Sequence, residues 1–360
     1  MLDRTELFVA EHPVGLESRV ETATNLLNIQ KSEEVLILGI WGMGGMGKTT
    51  LAKAIYNQIG SKFEGRSFLL NIREFWETDA NQVSLQQQIL YDVYKTLTFK
   101  IRNIESGKNI LKERLAQKRV LLVLDDVNEL EQLKALCGSC KWFGPGSRII
   151  ITTRDVHLLR LCGVDQVYTI EEMDESESLK LFSWHAFKQP SPTENVATHS
   201  TNVIAYSGRL PIALEVLEVL GSYLSDCEIP EWHNVLEKLK CIPHDKVQEK
   251  LKVSFDGLKD FTEKQIFLDI ACFFIGMDKN DVIQILNGCG FFADIGIKVL
   301  VERSLVTVDN RIKLRMHDLL RDMERQIIYE ESPSNPEKRS RLWRCEEVFD
   351  ILEKRKVIID

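Results

Sequence analysis

Eight residues, Gly42-Met43-Gly44-Gly45-Met46-Gly47-Lys48-Thr49, restrict this chain more than any other stretch. They fit G-x-x-x-x-G-K-[ST], a loop that cradles nucleotide phosphates. Val35–Ile40 before it is a short apolar run, as expected of a buried strand, and Thr50–Ile59 after it spaces Leu51, Ile55 and Ile59 as a helix does. Glycines let the backbone approach an anion and aim its N–H groups at it. The helix N-terminus adds partial positive charge at the same place. Lys48 is expected to reach the β- and γ-phosphates, and the Thr49 hydroxyl to hold Mg²⁺.

A phosphate loop needs a partner on the same sheet edge, because ligands of such sheets sit at the carboxyl ends of the strands. Arg119–Asp126 is an apolar run closed by two acids. Asp125, directly after the apolar residues, is the metal candidate with Thr49, and Asp126 is placed to orient or deprotonate an attacking water. A plain Asp-Asp turn or helix cap is the competing reading. Arg154 ends the next apolar run, Arg148–Arg154, after the hydroxyls of Thr152 and Thr153. It would either read a terminal phosphate by a charge-assisted contact or form a surface ion pair with Asp155.

The 360 residues suffice for two or three domains. A net charge of −8 argues against nonspecific nucleic-acid binding as the main role. No apolar run is long enough to span a bilayer, and the first residues lack the basic start and apolar core of a signal peptide. A cytosolic or nuclear location is the default expectation. Eight scattered cysteines include one C-x-x-C, Cys137-Gly-Ser-Cys140, without a second pair or suitably spaced histidines for zinc. Reduced structural thiols are expected.

Taken in order, the chain reads as a lead-in with a helix over 17–29, then strands near 35–40, 67–72, 119–126 and 148–154 alternating with helices over 50–59, 84–97 and from 109. Strands that are continuous apolar runs alternating with helices indicate a parallel sheet covered on both faces. From about 170 helical periods take over: 176–187, 196–206, 211–224, 231–239, 246–257, 262–274, 279–287 and 293–303. Residues 305–316 read as a hairpin turning on Asp309-Asn310, and 317–330 as a final amphipathic helix. The expected fold is an α/β P-loop NTPase domain with a parallel sheet, then an α-helical domain and a winged-helix domain. The boundaries are 1–33 for the lead-in, 34–168 for the nucleotide domain, 169–244 for the helical domain, 245–331 for the winged helix and 332–360 for a tail.

The ordered set of Gly42–Thr49, Leu121–Val127, Gly146–Arg154, Gly208-Arg209-Leu210-Pro211-Ile212-Ala213-Leu214 and Met316-His317-Asp318 resembles the NB-ARC module of plant nucleotide-binding leucine-rich-repeat resistance proteins, a branch of the STAND ATPases. Phe267–Phe274, and Asn128 after Asp125-Asp126-Val127, resemble the branch with an N-terminal TIR domain. The resemblance implies a switch that closes around ADP at rest, and opens and self-associates with ATP. By position it assigns nucleotide contacts to Val14, Gly15, Gly42, Gly44, Gly45, Met46, Gly47, Lys48, Thr49, Thr50, Asp125, Arg154, Pro211 and His317, with Thr49 and Asp125 at Mg²⁺. Val14 and Gly15 would line the adenine, Pro211 would pack near the nucleotide, and His317, which without the resemblance reads as a helix cap or surface residue, would reach the β-phosphate of ADP. Asp318 would orient His317 or cap its helix. Partners implied are nucleotide, a second copy and other immune receptors, not a membrane.

Two departures stand out. Arg209 stands where the family usually has a second glycine, and Glu324 where it usually has glycine on the last helix. Arg209 would crowd or reinforce the pocket, while Glu324 is expected to alter only packing. Against the resemblance, the chain begins after the place of a TIR domain and stops before leucine-rich repeats, as a fragment or a short form would. At most a slow ATPase is expected, without TIR chemistry. The rival readings are a P-loop kinase or fast ATPase, and a winged-helix DNA-binding regulator using Arg311–Arg315.

Overall fold

A computed structural model describes residues 6–29, 33–95, 100–192, 197–211, 213–214 and 245–359. The chain divides into two compact units, Met1–Glu171 and Glu172–Asp360.

The first unit is built on a five-stranded parallel sheet in the order β2-β3-β4-β1-β5. The strands are β1 Leu36–Trp41, β2 Gly65–Leu69, β3 Val120–Val127, β4 Arg148–Thr153 and β5 Gln166–Thr169. Central strands β3 and β4 are buried along nearly their whole length, as apolar runs without alternation require when both faces are covered. One face carries α1 Leu16–Leu26 and α2 Lys48–Ile59, whose Val20, Ala23, Leu51 and Ile55 pack on Leu38, Leu121 and Ile150. The other carries α4 Asp79–Tyr94, α5 Ile104–Leu115, α6 Leu130–Leu136 and α7 Val156–Cys162, over Leu122, Leu124 and Ile151.

Several expectations need correction. The second strand spans 65–69 rather than 67–72, because Asn71 turns left-handed (φ 51°) and starts the short helix α3, Ile72–Phe75. The fifth strand and helices α6 and α7 are additions: β5 is an edge strand with exposed residues, so it carries no apolar run. Helix α1 ends at Leu26, shorter than expected, with Asn28 left-handed beyond it. Arg148, fully buried at the start of β4, explains how that end is fixed: its guanidinium donates to the carbonyls of Leu27, Asn28 and Glu34.

The second unit contains α8 Glu175–Phe187 and α9 Ala197–Ser207, then helices Asp245–Asp256, Phe261–Asp269, Lys279–Gly288, Ala293–Glu302 and Asp318–Glu331. The expected helix over 231–239 lies outside the described residues, as does most of 211–224. The helix expected over 262–274 changes at Ile270 into a five-residue π turn, Ile270–Phe274. The hairpin is shorter than expected: β6 Thr307–Val308 pairs antiparallel with β7 Leu314–Arg315. Its turn is not a two-residue one, because the Asp309 carboxylate accepts from the N–H groups of Arg311 and Lys313 and from the Arg315 side chain. Cys345–Ile359 is helical, where a tail was expected.

Candidate nucleotide site

The loop runs from the end of β1 into α2. Gly47 caps that helix with φ 87°, a conformation that disfavours any side chain, and the Leu51 N–H bonds its carbonyl. Lys48 turns inward, 8% exposed, and donates to the carbonyls of Gly42 and Met43, each at 2.7 Å. Burial is the main force that lowers its pKa to about 7; Arg154 lowers it further while Asp126 and Asp125 oppose. An anion beside this ammonium would restore the charge that burial disfavours.

The Thr49 hydroxyl donates to Asp125 Oδ1 at 2.9 Å. The same oxygen accepts from Thr152 at 2.7 Å, and Oδ2 from the Asn71 N–H at 3.4 Å. Burial pushes the Asp125 carboxyl up, against these donors. Asp126 is the residue at which β3 breaks step: its φ is 57°, the register with β4 shifts between Leu124 and Val127, and its N–H bonds Thr152 Oγ1 at 2.9 Å. In a regular strand, neighbouring side chains point to opposite faces. The bulge breaks that alternation at the acid pair. Asp126 then pairs with Arg73 at 2.6 Å and lies 3.7 Å from Arg154 Nε. The Arg154 guanidinium is mostly buried, and that burial lowers its pKa.

Lys48, Thr49, Asp125, Asp126 and Arg154 are therefore brought together in one unit, as expected of a phosphate and metal site. Arg73 was missed. The signal available was its place four residues after the end of β2, at the same carboxyl edge of the sheet. The donor set fits Mg²⁺ in kind: a hydroxyl and a carboxylate oxygen already share a proton, and no group of three or more His, Cys, Asp or Glu among the described residues makes an all-protein cage. Mg²⁺ bound with a nucleotide is usually held by one or two protein oxygens, phosphate and water. Val14 and Gly15 precede α1, with Gly15 left-handed (φ 69°) and its carbonyl accepting from Arg19.

Pro211 and His317 belong to the second unit. His317 caps the helix Asp318–Glu331: its Nδ1 accepts from the Leu319 N–H at 3.1 Å. With Nδ1 an acceptor, the proton of a neutral ring is on Nε2, which donates to the Gly208 carbonyl at 3.0 Å. The contact is so close that a Cβ at Gly208 would lie 2.2 Å from the imidazole. Gly208 (φ 56°) and Arg209 (φ 59°) are both left-handed, and Arg209 reaches Glu172 at 3.5 Å. Arg209 thus points at an acid and bears backbone strain that glycine would not. Asp318 neither orients the ring nor caps the helix with its side chain; it pairs with Arg321 at 2.7 Å. These residues line a cleft of about 430 Å³ with Glu172 and Glu175.

A parallel sheet with this loop and acid pair defines a P-loop nucleotide-binding module. Residues 16–192 match the NB-ARC domain, and residues 260–332 match the winged-helix domain of Roq1-like disease resistance proteins. The chain carries an NB-ARC domain followed by a Roq1-like winged-helix domain. It is 43% identical over 332 residues to the disease resistance protein RUN1 of Vitis rotundifolia, an alignment covering 92% of this chain and 24% of that protein. It is 37% identical over 358 residues to the TMV resistance protein N of Nicotiana glutinosa, covering 98% and 30%. The chain thus spans 24% to 30% of the length of these two curated relatives. A Walker-type ATPase of Pyrococcus abyssi superposes with a TM-score of 0.56 at 14% identity, covering 89% of this chain and all of that one, a likeness of fold alone. No helix among the described residues is long and apolar enough to cross a membrane.

Proposed function

We propose that the chain is an ADP/ATP switch of a plant immune receptor, in which nucleotide exchange accompanies opening of the domains and self-association. The observation that carries this reading is the Thr49–Asp125 hydrogen bond beside buried Lys48, which puts the loop and the acid pair in one site. Lys48 would hold the phosphates, and Thr49 and Asp125 would hold Mg²⁺. The metal, when bound, would neutralise charge on the phosphates. Asp126, held by Arg73 and Arg154, would position water for slow hydrolysis, and Arg154 would exchange its carboxylate partner for a terminal phosphate. Three domains, 34–168, 169–244 and 245–331, would carry these motions, with Val14, Gly15, Pro211 and His317 completing the nucleotide's surroundings. Signalling in defence is proposed on the strength of the relatives.

Moving a closed:open ratio from 1:99 to 99:1 takes about 5.5 kcal/mol of preference between states. Several charge-assisted phosphate contacts of roughly 1.5–3 kcal/mol each can supply it. The test is calorimetry with ADP on the purified chain and on Lys48→Ala, together with steady-state hydrolysis. Tight ADP binding lost in the variant, with turnover well below the ~1–100 s⁻¹ of kinases, is the expected result. Equal affinity in both proteins would refute the proposal.

A further inference from the structure

Two cations reach Asp126 from different strands. In the sheet, β3 lies between β2 and β4. Arg73 stands on α3, in the segment that leaves the carboxyl end of β2, and Arg154 directly follows β4. The two guanidiniums therefore approach the Asp126 carboxylate from opposite neighbours. They do not hold it equally. A terminal nitrogen of Arg73 is 2.6 Å from Oδ2, within hydrogen-bond distance, whereas Arg154 Nε is 3.7 Å from Oδ1, beyond it. All three side chains are largely buried, Arg73 at 21% exposure and Asp126 and Arg154 at 16%.

The segment that carries Arg73 engages the other acid too. Asn71, left-handed at φ 51°, presents its backbone N–H to Asp125 Oδ2 at 3.4 Å. One short stretch after β2 thus touches both members of the acid pair, Asp125 through the backbone and Asp126 through a charged side chain. Among the groups named so far, Arg73 alone makes a hydrogen-bonded ion pair with the acids without a phosphate to go to.

The consequence is electrostatic. A buried carboxylate stripped of its last cation is strongly disfavoured. Were Arg154 the sole partner of Asp126, moving it to a phosphate would strand that carboxylate. With Arg73 in place, the carboxylate stays paired and hydrogen-bonded when Arg154 leaves. Arg73 also repels its neighbour: burial lowers the Arg154 pKa most, Asp126 opposes, and Arg73 adds to the fall. The cation that stays and the cation that moves are thus different residues, and their distances tell them apart.

We propose that Arg73 is the positioning residue that frees Arg154: it keeps Asp126 neutralised from the β2 side, so that Arg154 on the β4 side can trade this carboxylate for the third phosphate of ATP, and it thereby sets the preference of the site between ATP and ADP. ADP lacks the phosphate to which Arg154 would move, so the exchange acts on ATP alone. This selectivity rests on the switch proposed above; the tie between Arg73 and Asp126 does not.

The test is a double-mutant cycle on the full chain with Arg73→Gln and Asp126→Asn. Asparagine keeps the shape of aspartate and accepts the left-handed φ of 57°. Calorimetry compares ADP with a non-hydrolysable ATP analogue. Arg73→Gln is expected to lower the ATP-to-ADP affinity ratio about tenfold, and to change it less than about threefold in the Asp126→Asn background, where no carboxylate charge holds Arg154. A direct contact of Arg73 with phosphate, or a general loss of positive charge, gives the same fall in both backgrounds and overturns the proposal. A ratio that does not move in either background also overturns it. Thermal melts of the same variants read the tie without nucleotide. Arg73→Gln is expected to lower Tm by several degrees, and by less than half as much in the Asp126→Asn background; equal losses overturn the tie. A parent chain that binds neither nucleotide sinks the switch and the selectivity with it, while the melts still decide the tie.

Discussion

The two units organise their polar residues by different physics. In the first, every group of the candidate site hangs on the end of a strand or the start of the helix that follows it, so the sheet places Lys48, Thr49, Asp125 and Arg154 together. In the second, the central contact joins His317 to a carbonyl 109 residues earlier in the chain, between a helix cap and a left-handed turn. A sheet brings distant residues together by register, whereas a helical unit must do so by side-chain fit. The lesson is that the first site should tolerate change around it and the second should not.

The contrast breaks most sharply at Gly208. Gly208→Ala forces a Cβ into the His317 ring and imposes φ 56° on a residue with a side chain. A loss of about 3 kcal/mol is expected in denaturant unfolding of the second unit, within the range of overpacking combined with backbone strain. A loss under about 0.5 kcal/mol would show that side-chain fit does not govern this unit.

Glu324 gives the next effect. It is fully buried on the last helix of the winged unit, and neither carboxyl oxygen has a hydrogen-bond partner. Burial drives its pKa well above the usual carboxylate range, against the pull of Arg341. The expectation of a packing change alone is thus too weak. Because the folded state holds this proton more tightly than the unfolded chain, stability is full below the ordinary glutamate pKa and falls as pH rises toward the folded value. Glu324→Gln is expected to flatten that fall and to gain about 1–3 kcal/mol at the alkaline end, read from thermal melts across pH.

Lys48 sharpens the comparison from the other side. Its lowered pKa, about 7, means the folded chain holds this proton less tightly than the unfolded one. Its contribution to stability therefore rises with pH from about 7 toward its ordinary value. A bound phosphate reverses the preference, so ADP binding takes up a proton above pH 7. Affinity should weaken there by up to about tenfold per pH unit, equivalent to ~1.4 kcal/mol. Binding enthalpies that do not depend on buffer ionisation would contradict this.

Arg209 carries the smallest effect. Its ion pair with Glu172 is about half exposed on both sides and contributes little. Relief of the left-handed strain in Arg209→Gly outweighs it, with a gain of about 0.5–1 kcal/mol expected in unfolding experiments. A net loss would mean the ion pair matters more than its exposure allows.

What the sequence could disclose followed the same division. Continuous apolar runs and the glycine loop announce β1, β3 and β4, and with them the acids and Arg154, because residue order fixes which strand end they occupy. Strand β5 is an exposed edge without such a run, and Arg73 sits on a helix of four residues, too short to show a period. The His317 cap was open to reading from its place at a helix start, whereas the motif resemblance assigned the residue to a phosphate, and neither could pair it with Gly208. The burial of Glu324 was hidden for a related reason, since a charged residue on an amphipathic helix reads as solvated until the neighbouring helices are in place.

The break in step at Asp126 has one mechanical result. Val127 rejoins Thr153 of β4 immediately after it, so the acids are seated within a strand anchored on both sides rather than dangling from its tip. A tug on either carboxylate must be borne by the neighbouring rail, whose next residue is Arg154. Load applied at the acids is therefore handed to the arginine through the backbone, before any side chain has moved.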